Sequence, residues 1–434
     1  MNLLQPFRAL SGRQRHVFLA CFLAWSLDAF DFFLLTFCLD SVRATFHLSL
    51  AVVAEALFWT LAMRPVGALL FGTLAERYGR RPALLLNIVF SCLFGLASAF
   101  AASWPVFLFF RAAYGMAMGG EWGVGAALVM ETLPTKVRGF FSGLLQEGYV
   151  IGNLLAAAVA GLFGLAIAHL HPAGFAGSWR MLFLIGLLPA PPVLYLIKRT
   201  DESPIWESRR QSRLPRGARP REPILDRVRQ GARLGVRFGG MFLFLTLLMF
   251  AFNSFSHGSQ DLYPEYLRHD KRMSLPLVSV VAMAGSLGAL LGGLVYGTLS
   301  ERLGRRKTIV VAALLAIPVI PLWAWSHTAA VLAAGGFLMQ FMVQGAWGVI
   351  PVHLNELAPP AVRAVFPGVA YQLGNLLASR NGVFQAEIAA HFYQGRLAPV
   401  MAWTVLLVGC LVAVVTWLGP EAKGADLSSV EVAE

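Results

Sequence analysis

Charge is scarce in this chain. Asp, Glu, Lys and Arg make up 13% of its 434 residues, about half the share of a soluble domain. That shortage argues against a water-soluble enzyme of this length. Cysteine is scarce too. Cys21, Cys38, Cys92 and Cys410 all lie in apolar runs without motif spacing, so they read as free packing residues rather than a disulfide framework or a metal site. No Walker loop, zinc spacing or nucleophile elbow occurs, and nothing points to an enzyme. No cleavable leader is evident. The first apolar run is full length and contains Asp28 and Asp31, which suits an uncleaved span.

What the chain has in quantity is apolar length. Hydrophobic residues make 57% of it, with a mean hydropathy of +0.65. A membrane span needs ~20 apolar residues, and that pattern recurs about twelve times. The predicted spans are 16–40, 51–75, 82–102, 105–131, 139–168 and 179–197, then 236–262, 274–300, 307–326, 329–356, 363–391 and 399–418. These runs are too long and too many for the core of a soluble helical protein. The net charge of +12 is not a nucleic-acid patch, because 26 of the 35 Lys and Arg fall in the N-terminus, alternate loops, the central linker and the tail. Only Arg43, Arg268, Lys271, Arg272 and Arg396 fall in the opposite loops. The positive-inside rule then places both termini and the linker in the cytoplasm of a cell (inner) membrane protein. The linker, 198–235, is Arg-rich and broken by proline. It is expected to be partly disordered, with an amphipathic piece near Pro223–Arg233 on the inner leaflet.

The two halves repeat at an offset of 225: Gly72 to Arg81 (GTLAERYGRR) matches Gly297 to Arg306 (GTLSERLGRR). The same offset relates Trp122 to Trp347, Glu131 to Glu356, Pro134 to Pro359, Arg138 to Arg363 and Asp28 to Asn253. A duplicated six-span unit follows. The expected fold is an all-α membrane protein with twelve transmembrane helices in two pseudo-symmetric six-helix lobes, 1–197 and 236–418, plus a cytoplasmic tail, 419–434. Gly72 would let two helices approach closely. Glu76, Arg77, Arg80, Glu301, Arg302 and Arg305 read as gating charges at the cytoplasmic mouth, the plainer alternative being topogenic charge alone. The loop resembles the second–third loop motif of the major facilitator superfamily, whose acidic position is more often Asp than the Glu found here. The resemblance implies the major facilitator fold and alternating access by rocking of the lobes.

Several polar groups sit inside the apolar runs, where they are costly and normally face a cavity. Asn253, His257, Gln260 and Asp261 fall on one helical stripe, and His257 can change charge near neutral pH. Asp28 and Asp31 share a face of the first span. Two carboxylates so close in a low dielectric cannot both ionise cheaply, which makes the pair a candidate proton carrier. Arg111 lies roughly 9 Å inside the fourth span and needs an anion: a substrate carboxylate, or Asp28, Asp31 or Glu121. Arg380, in the eleventh span beside Gln372, Asn375 and Ser379, is expected to be a second buried cation and is slightly favoured as the carboxylate anchor. Its alternative is an ion pair with Glu387 or Asp261. Glu121, Gln146, Glu147, Tyr149, Asn153, Gln340 and Gln344 are secondary candidates, and interhelical hydrogen bonds are their commoner use.

Asn253-x-x-Ser256-His257-x-Ser259-Gln260-Asp261 resembles the seventh-span motif N-x-x-[ST]-H-x-[ST]-Q-D of the sialate:proton symporter family, at every fixed position. The resemblance implies proton-coupled uptake of a carboxylate, with Asn253, His257 and Asp261 important for it. Asp28-x-x-Asp31 resembles a first-span element of organic-acid permeases, and Arg111 a superfamily arginine given a role in proton transfer. The expectation is a symporter of a small monocarboxylate, lactate or pyruvate, because sialate carriers of this type carry extra central spans. Sialate, aromatic-acid and sugar permeases are the alternatives, and a membrane sensor is the non-transport one. Substrate contacts are expected from Arg380, Arg111, Asn253, His257, Gln260, Gln372, Asn375 and Tyr149. Proton coupling is expected from Asp28, Asp31, His257, Asp261 and Glu121. The expected partners are the carboxylate, protons as coupling ion and the lipid bilayer. No metal, other cofactor or nucleic acid is expected, and the chain is expected to be a monomer.

Overall fold

The computed structural model describes residues 5–8, 10–48, 50–170, 179–212, 224–425 and 427. Among them the chain is helical, with no strand. In hydrocarbon the backbone must satisfy its own N–H and C=O groups, and a helix does so within one segment. Span 1 is Gly12–Phe46, opened by a capping box between Ser11 and Gln14. Span 3 is Arg80–Ala99, span 4 Trp104–Thr132, span 8 Leu275–Leu303 and span 12 Leu397–Leu418.

Other spans are broken. Span 2 is Leu50–Ala62 and Arg64–Tyr78, and span 10 is Ala329–Gly348 and Ile350–Leu357. Pro65 and Pro351 each follow a break, since proline lacks the N–H a continuous helix needs. Span 5 is Arg138–Gln146 and Gly148–Leu170, and span 6 is Arg180–Gly186 and Ala190–Lys198. Span 7 is Ile224–Gln260 with Tyr263–His269 after it. Span 9 is Arg305–Ala316, carried on by irregular turns to Trp325. Span 11 is Phe366–Ala378 and Asn381–Phe392. Among the described residues, ten segments are long and apolar enough to cross a membrane. Spans 4 and 11 are outside that group: Arg111 and Glu121 interrupt the first, and the second is split at Ser379–Arg380.

Part of the expected linker, 198–235, is helical. Pro204–Ser212 is a helix, and Ile205 and Trp206 are buried. Residues 213–223 lie outside the described residues, Pro223 of the expected amphipathic piece among them. The rest of that piece belongs to a continuous helix from Ile224 into span 7.

By contact the chain forms two units, Met1–Leu133 with Leu145–Ser203, and Pro134–Leu144 with Pro204–Glu434. The start of span 5 therefore goes with the second unit, although its sequence position lies in the first lobe. Each unit has the same base. In the first, Arg80 is fully buried and pairs with Glu131 at 3.0 Å and Glu76 at 3.1 Å. In the second, Arg305 is fully buried and pairs with Glu356 at 3.0 Å and Glu301 at 3.4 Å. Gly79 and Gly304, at φ +111° and +96°, make the turns that lead into these arginines, a region only glycine enters cheaply. A carboxylate caps the helix after each turn. Glu202 accepts the N–H groups of Arg80 (2.9 Å) and Arg81 (3.1 Å), and Glu421 those of Arg305 (3.3 Å) and Arg306 (3.0 Å). Of the other expected gating residues, Gly72 is buried, whereas Arg77 and Arg302 are exposed.

Candidate functional site

In the first unit, glycines bring the polar groups together. A Cβ on Gly115 would lie 2.1 Å from the Thr60 carbonyl oxygen, and one on Gly119 would lie 1.9 Å from that of Arg64. Spans 2 and 4 therefore touch backbone to backbone, as small residues permit in membranes. Gly152 does the same for span 5 against span 1, where its Cβ would lie 2.5 Å from the Ser26 carbonyl oxygen. Gly186 of span 6 leaves room for Asp31, whose Oδ1 would lie 2.6 Å from a Cβ there.

Into this packing go charges that have few partners among the described residues. Arg111 is fully buried, and none of its three guanidinium nitrogens has a hydrogen-bond partner. Its guanidinium lies over the ring of Tyr114 at 4.2 Å and faces Phe183 at 5.7 Å, an arrangement that suits a weakly hydrated planar cation. The Tyr114 hydroxyl donates to the Asp28 carbonyl oxygen at 2.9 Å and lies 3.4 Å from Asp28 Oδ1. Asp28 Oδ2 has no partner. Asp31 and Arg111 line one small void together with Leu34, Cys92, Gly95 and Phe183. Glu121 is buried with both oxygens unpartnered, and so is one oxygen of Glu147. Tyr149 stacks on Trp25 at 5.5 Å and meets the edge of Phe33 at 5.1 Å. Gln146 accepts the Trp122 indole N–H at 3.2 Å.

Arg64 was missing from the sequence expectations. It is buried, its Nε and Nη2 lack partners among the described residues, and it lies within electrostatic range of both Asp28 and Glu121. The signal was present: a lone cation in Phe58-Trp59-Thr60-Leu61-Ala62-Met63-Arg64-Pro65, the same sign that singled out Arg111.

In the second unit the polar groups bond to one another. His257 Nδ1 lies 3.0 Å from Asp261 Oδ2, and Nε2 lies 3.2 Å from Asn375 Oδ1. Both ring nitrogens thus face oxygens. A neutral imidazole can donate to only one of them, and the imidazolium donates to both unless the amide turns over. Gln344 donates to Ser256 Oγ at 3.0 Å and to Gln260 at 3.4 Å, and Gln340 to Ser259 Oγ at 3.4 Å. Asn381 and Gln385 donate to the carbonyl oxygens of Ser254 and Gly258, two contacts the spacing of span 11 did not reveal. The stripe is graded. Asn253 is buried and donates to Met249 of its own helix, whereas Gln260 and Asp261 are exposed. Gln372 is buried, and neither of its amide atoms has a partner among the described residues.

Arg380 departs from the expectation of a buried cation. The helix breaks at Ser379–Arg380, Arg380 becomes the cap of the second segment, and its side chain is exposed, 5.9 Å from the Phe384 ring. No ion pair of Arg380 with Glu387 or Asp261 occurs among the described residues.

Comparison with known proteins bears on this arrangement. Residues 21–379 match the family model described as Major Facilitator Superfamily. A "Probable 4-methylmuconolactone transporter" of Cupriavidus pinatubonensis is 28% identical over 99% of this chain and 95% of its own length. The "Carboxylic acid transporter protein homolog" of Saccharomyces cerevisiae is 26% identical, covering 90% of this chain and 64% of that protein. The "Sialic acid transporter NanX" of Escherichia coli is 25% identical over 90% of this chain and 89% of its own length. Among solved structures, the proton:xylose symporter XylE superposes with a TM-score of 0.75 at 18% identity, covering 96% of this chain and 98% of its own. That likeness is one of fold.

Proposed function

The chain belongs to the major facilitator superfamily, and on that premise we propose that it carries an organic acid anion across the membrane together with protons. It is a multi-pass membrane transporter, not an enzyme. The proposed motion is alternating access by rocking of the two six-helix units, in a cell membrane with both termini cytoplasmic.

The observation that carries this reading is the unpaired arginine charge in the first unit. Arg111 and Arg64 are buried with N–H groups that have no partner among the described residues. A buried cation without a bonded anion is strongly unfavourable, and a carboxylate can take a guanidinium in two parallel hydrogen bonds. A substrate carboxylate would complete what the protein leaves open. In the proposed cycle Asp28 or Asp31, or His257 with Asp261, takes up the proton. Arg111, with Arg64, or else Arg380, takes the anion, and both ligands leave on the other side.

The small-monocarboxylate assignment, lactate or pyruvate, rests on the family resemblance of the seventh-span motif and on a central linker whose sequence has no extra apolar run, and sialate remains its alternative within that family. A second reading is a ring acid. Supporting it are the stacked Trp25–Tyr149 pair with Phe33 at its edge and a relative described as a 4-methylmuconolactone transporter. Uptake into proteoliposomes under an imposed pH gradient tests all of this, with lactate, pyruvate, sialate, benzoate, muconate and glucose as the panel. The expected result is gradient-dependent accumulation of one acid, abolished by a protonophore. Accumulation that ignored both gradient and protonophore would remove proton coupling. Binding without accumulation would favour a membrane sensor.

A further inference from the structure

The break in span 5 leaves two buried polar groups open at one place in the first unit. Glu147 lies between the segments Arg138–Gln146 and Gly148–Leu170 and is 3% exposed. Its Oε2 has no partner among the described residues. The next residue sits on Trp25: a Cβ on Gly148 would lie 3.0 Å from Trp25 Cδ1. Cδ1 is bonded to Nε1, so the polar edge of the indole is turned to this break. Trp25 is 2% exposed, and its N–H has no acceptor among the described residues. Another tryptophan at the break fares differently, because the Trp122 N–H finds Gln146 at 3.2 Å. The internal repeat sharpens the contrast. At the offset of 225, Glu147 corresponds to Gln372, whose amide is also open among the described residues. The charges at the base, by contrast, are paired in both copies.

A buried N–H and a buried carboxylate oxygen that do not bond to each other are both costly. One group can serve both, since a hydroxyl accepts from the indole and donates to the carboxylate. An ammonium group would pair with Glu147 but leave the indole without an acceptor. A carboxylate would accept from the indole but has no hydrogen to give Glu147. The surroundings are aromatic: Tyr149 stacks on Trp25, with Phe33 at its edge. Both pack against a cluster that contains Tyr114, the ring beneath Arg111. An aromatic face therefore runs from the arginine to the open pair, and it suits the flat side of a ring. We propose that Trp25 Nε1 and Glu147 Oε2 bind a hydroxyl of the substrate, so that the acid carried is a ring acid bearing a hydroxyl. This rests on the ring-acid reading given above.

The test is calorimetric titration of the purified full chain with benzoate, the 3- and 4-hydroxybenzoates and the matching methoxybenzoates. A methoxy group keeps the acceptor oxygen but cannot donate to Glu147. One hydroxybenzoate is expected to bind at least about tenfold more tightly than benzoate and than its methoxy analogue, the weight of a hydrogen bond to a charged group. Glu147→Met and Trp25→Phe should erase that preference. Glu147→Gln, which keeps an acceptor, should retain part of it. Equal affinities for benzoate and both hydroxybenzoates in the parent chain would overturn the site and leave the two groups to a bound water. A preference that survived intact in Glu147→Met and Trp25→Phe would overturn it as well. Proteoliposome uptake separates this site from the transport reading. Hydroxyl-dependent binding without proton-driven uptake of any acid would keep the site and remove transport. Proton-driven uptake of lactate, pyruvate or sialate, with no ring acid bound, would do the reverse.

Discussion

At their bases the two units are near copies. Arg80 holds Glu131 and Glu76, Arg305 holds Glu356 and Glu301, and Glu202 and Glu421 cap the helices that follow. Midway along the same helices the copies part. The first unit keeps charges, Arg111, Arg64, Asp28 and Glu121, with polar atoms left unbonded. The second replaces the carboxylate at Asp28 with Asn253 and carries an imidazole and amides that bond to one another. Where buried charge serves structure, both copies pair it. Where it is left open among the described residues, only the first copy has it, and the proposed substrate site rests on that asymmetry.

The comparison breaks most severely at the base. Glu131→Gln should leave Arg80 with Glu76 as its one carboxylate partner among the described residues and destabilise the protein by about 3–5 kcal/mol, and Glu356→Gln should do the same to Arg305, leaving it Glu301. Thermal unfolding of the purified variants in detergent measures both. A loss confined to one unit would show that the two bases are not equivalent.

Midway, the prediction is loss of transport with little loss of stability. Arg111→Lys keeps the charge but not the planar fork, and gradient-driven uptake should fall at least about tenfold while the unfolding temperature moves little. An equal fall in stability would make Arg111 a packing residue. In the second unit the effect should be gentler. Asn375→Ala removes one of the two oxygens facing His257, a hydrogen bond worth about 1 kcal/mol. It should shift the pH profile of uptake more than its maximum rate. An unchanged profile would separate His257 from proton handling.

The smallest effect is expected at Glu202, which lies beyond the end of span 6. Burial pushes its carboxyl above the ordinary range, against the pull of the N–H groups of Ser203, Arg81 and Arg80 and the Arg80 charge. A carboxyl raised by folding contributes stability while protonated and loses it as pH rises through its folded value. The stability of the parent relative to Glu202→Gln should therefore fall from mildly acidic pH towards neutrality. A difference that grew with pH would mean that the cap outweighs the burial.

The base of each unit was legible along the chain because its parts repeat: Gly79 with Gly304, Arg80 with Arg305, Glu131 with Glu356. The site was legible only in part. A charge in an apolar run announced Arg111 and Arg380 alike, yet one is enclosed by aromatic rings and the other sits exposed at a helix break. Nothing local distinguishes the two, because Arg380 has no proline beside it to signal the break. The tail was read as a cytoplasmic end, and its attachment to Arg138 and Arg363 left no trace in composition.

By itself the sequence determined that the chain crosses a membrane many times, that it is a doubled six-helix unit, and which family it joins. Those properties are carried by neighbours along the chain, through hydropathy over a helix length and through a repeated motif. The tertiary structure alone decided which charges have partners. Arg80 and Glu131 are 51 residues apart, His257 and Asn375 118, and whether such groups meet depends on the depth and rotation of two helices. Those are set by the small residues that let the helices touch, which no property of either segment alone contains.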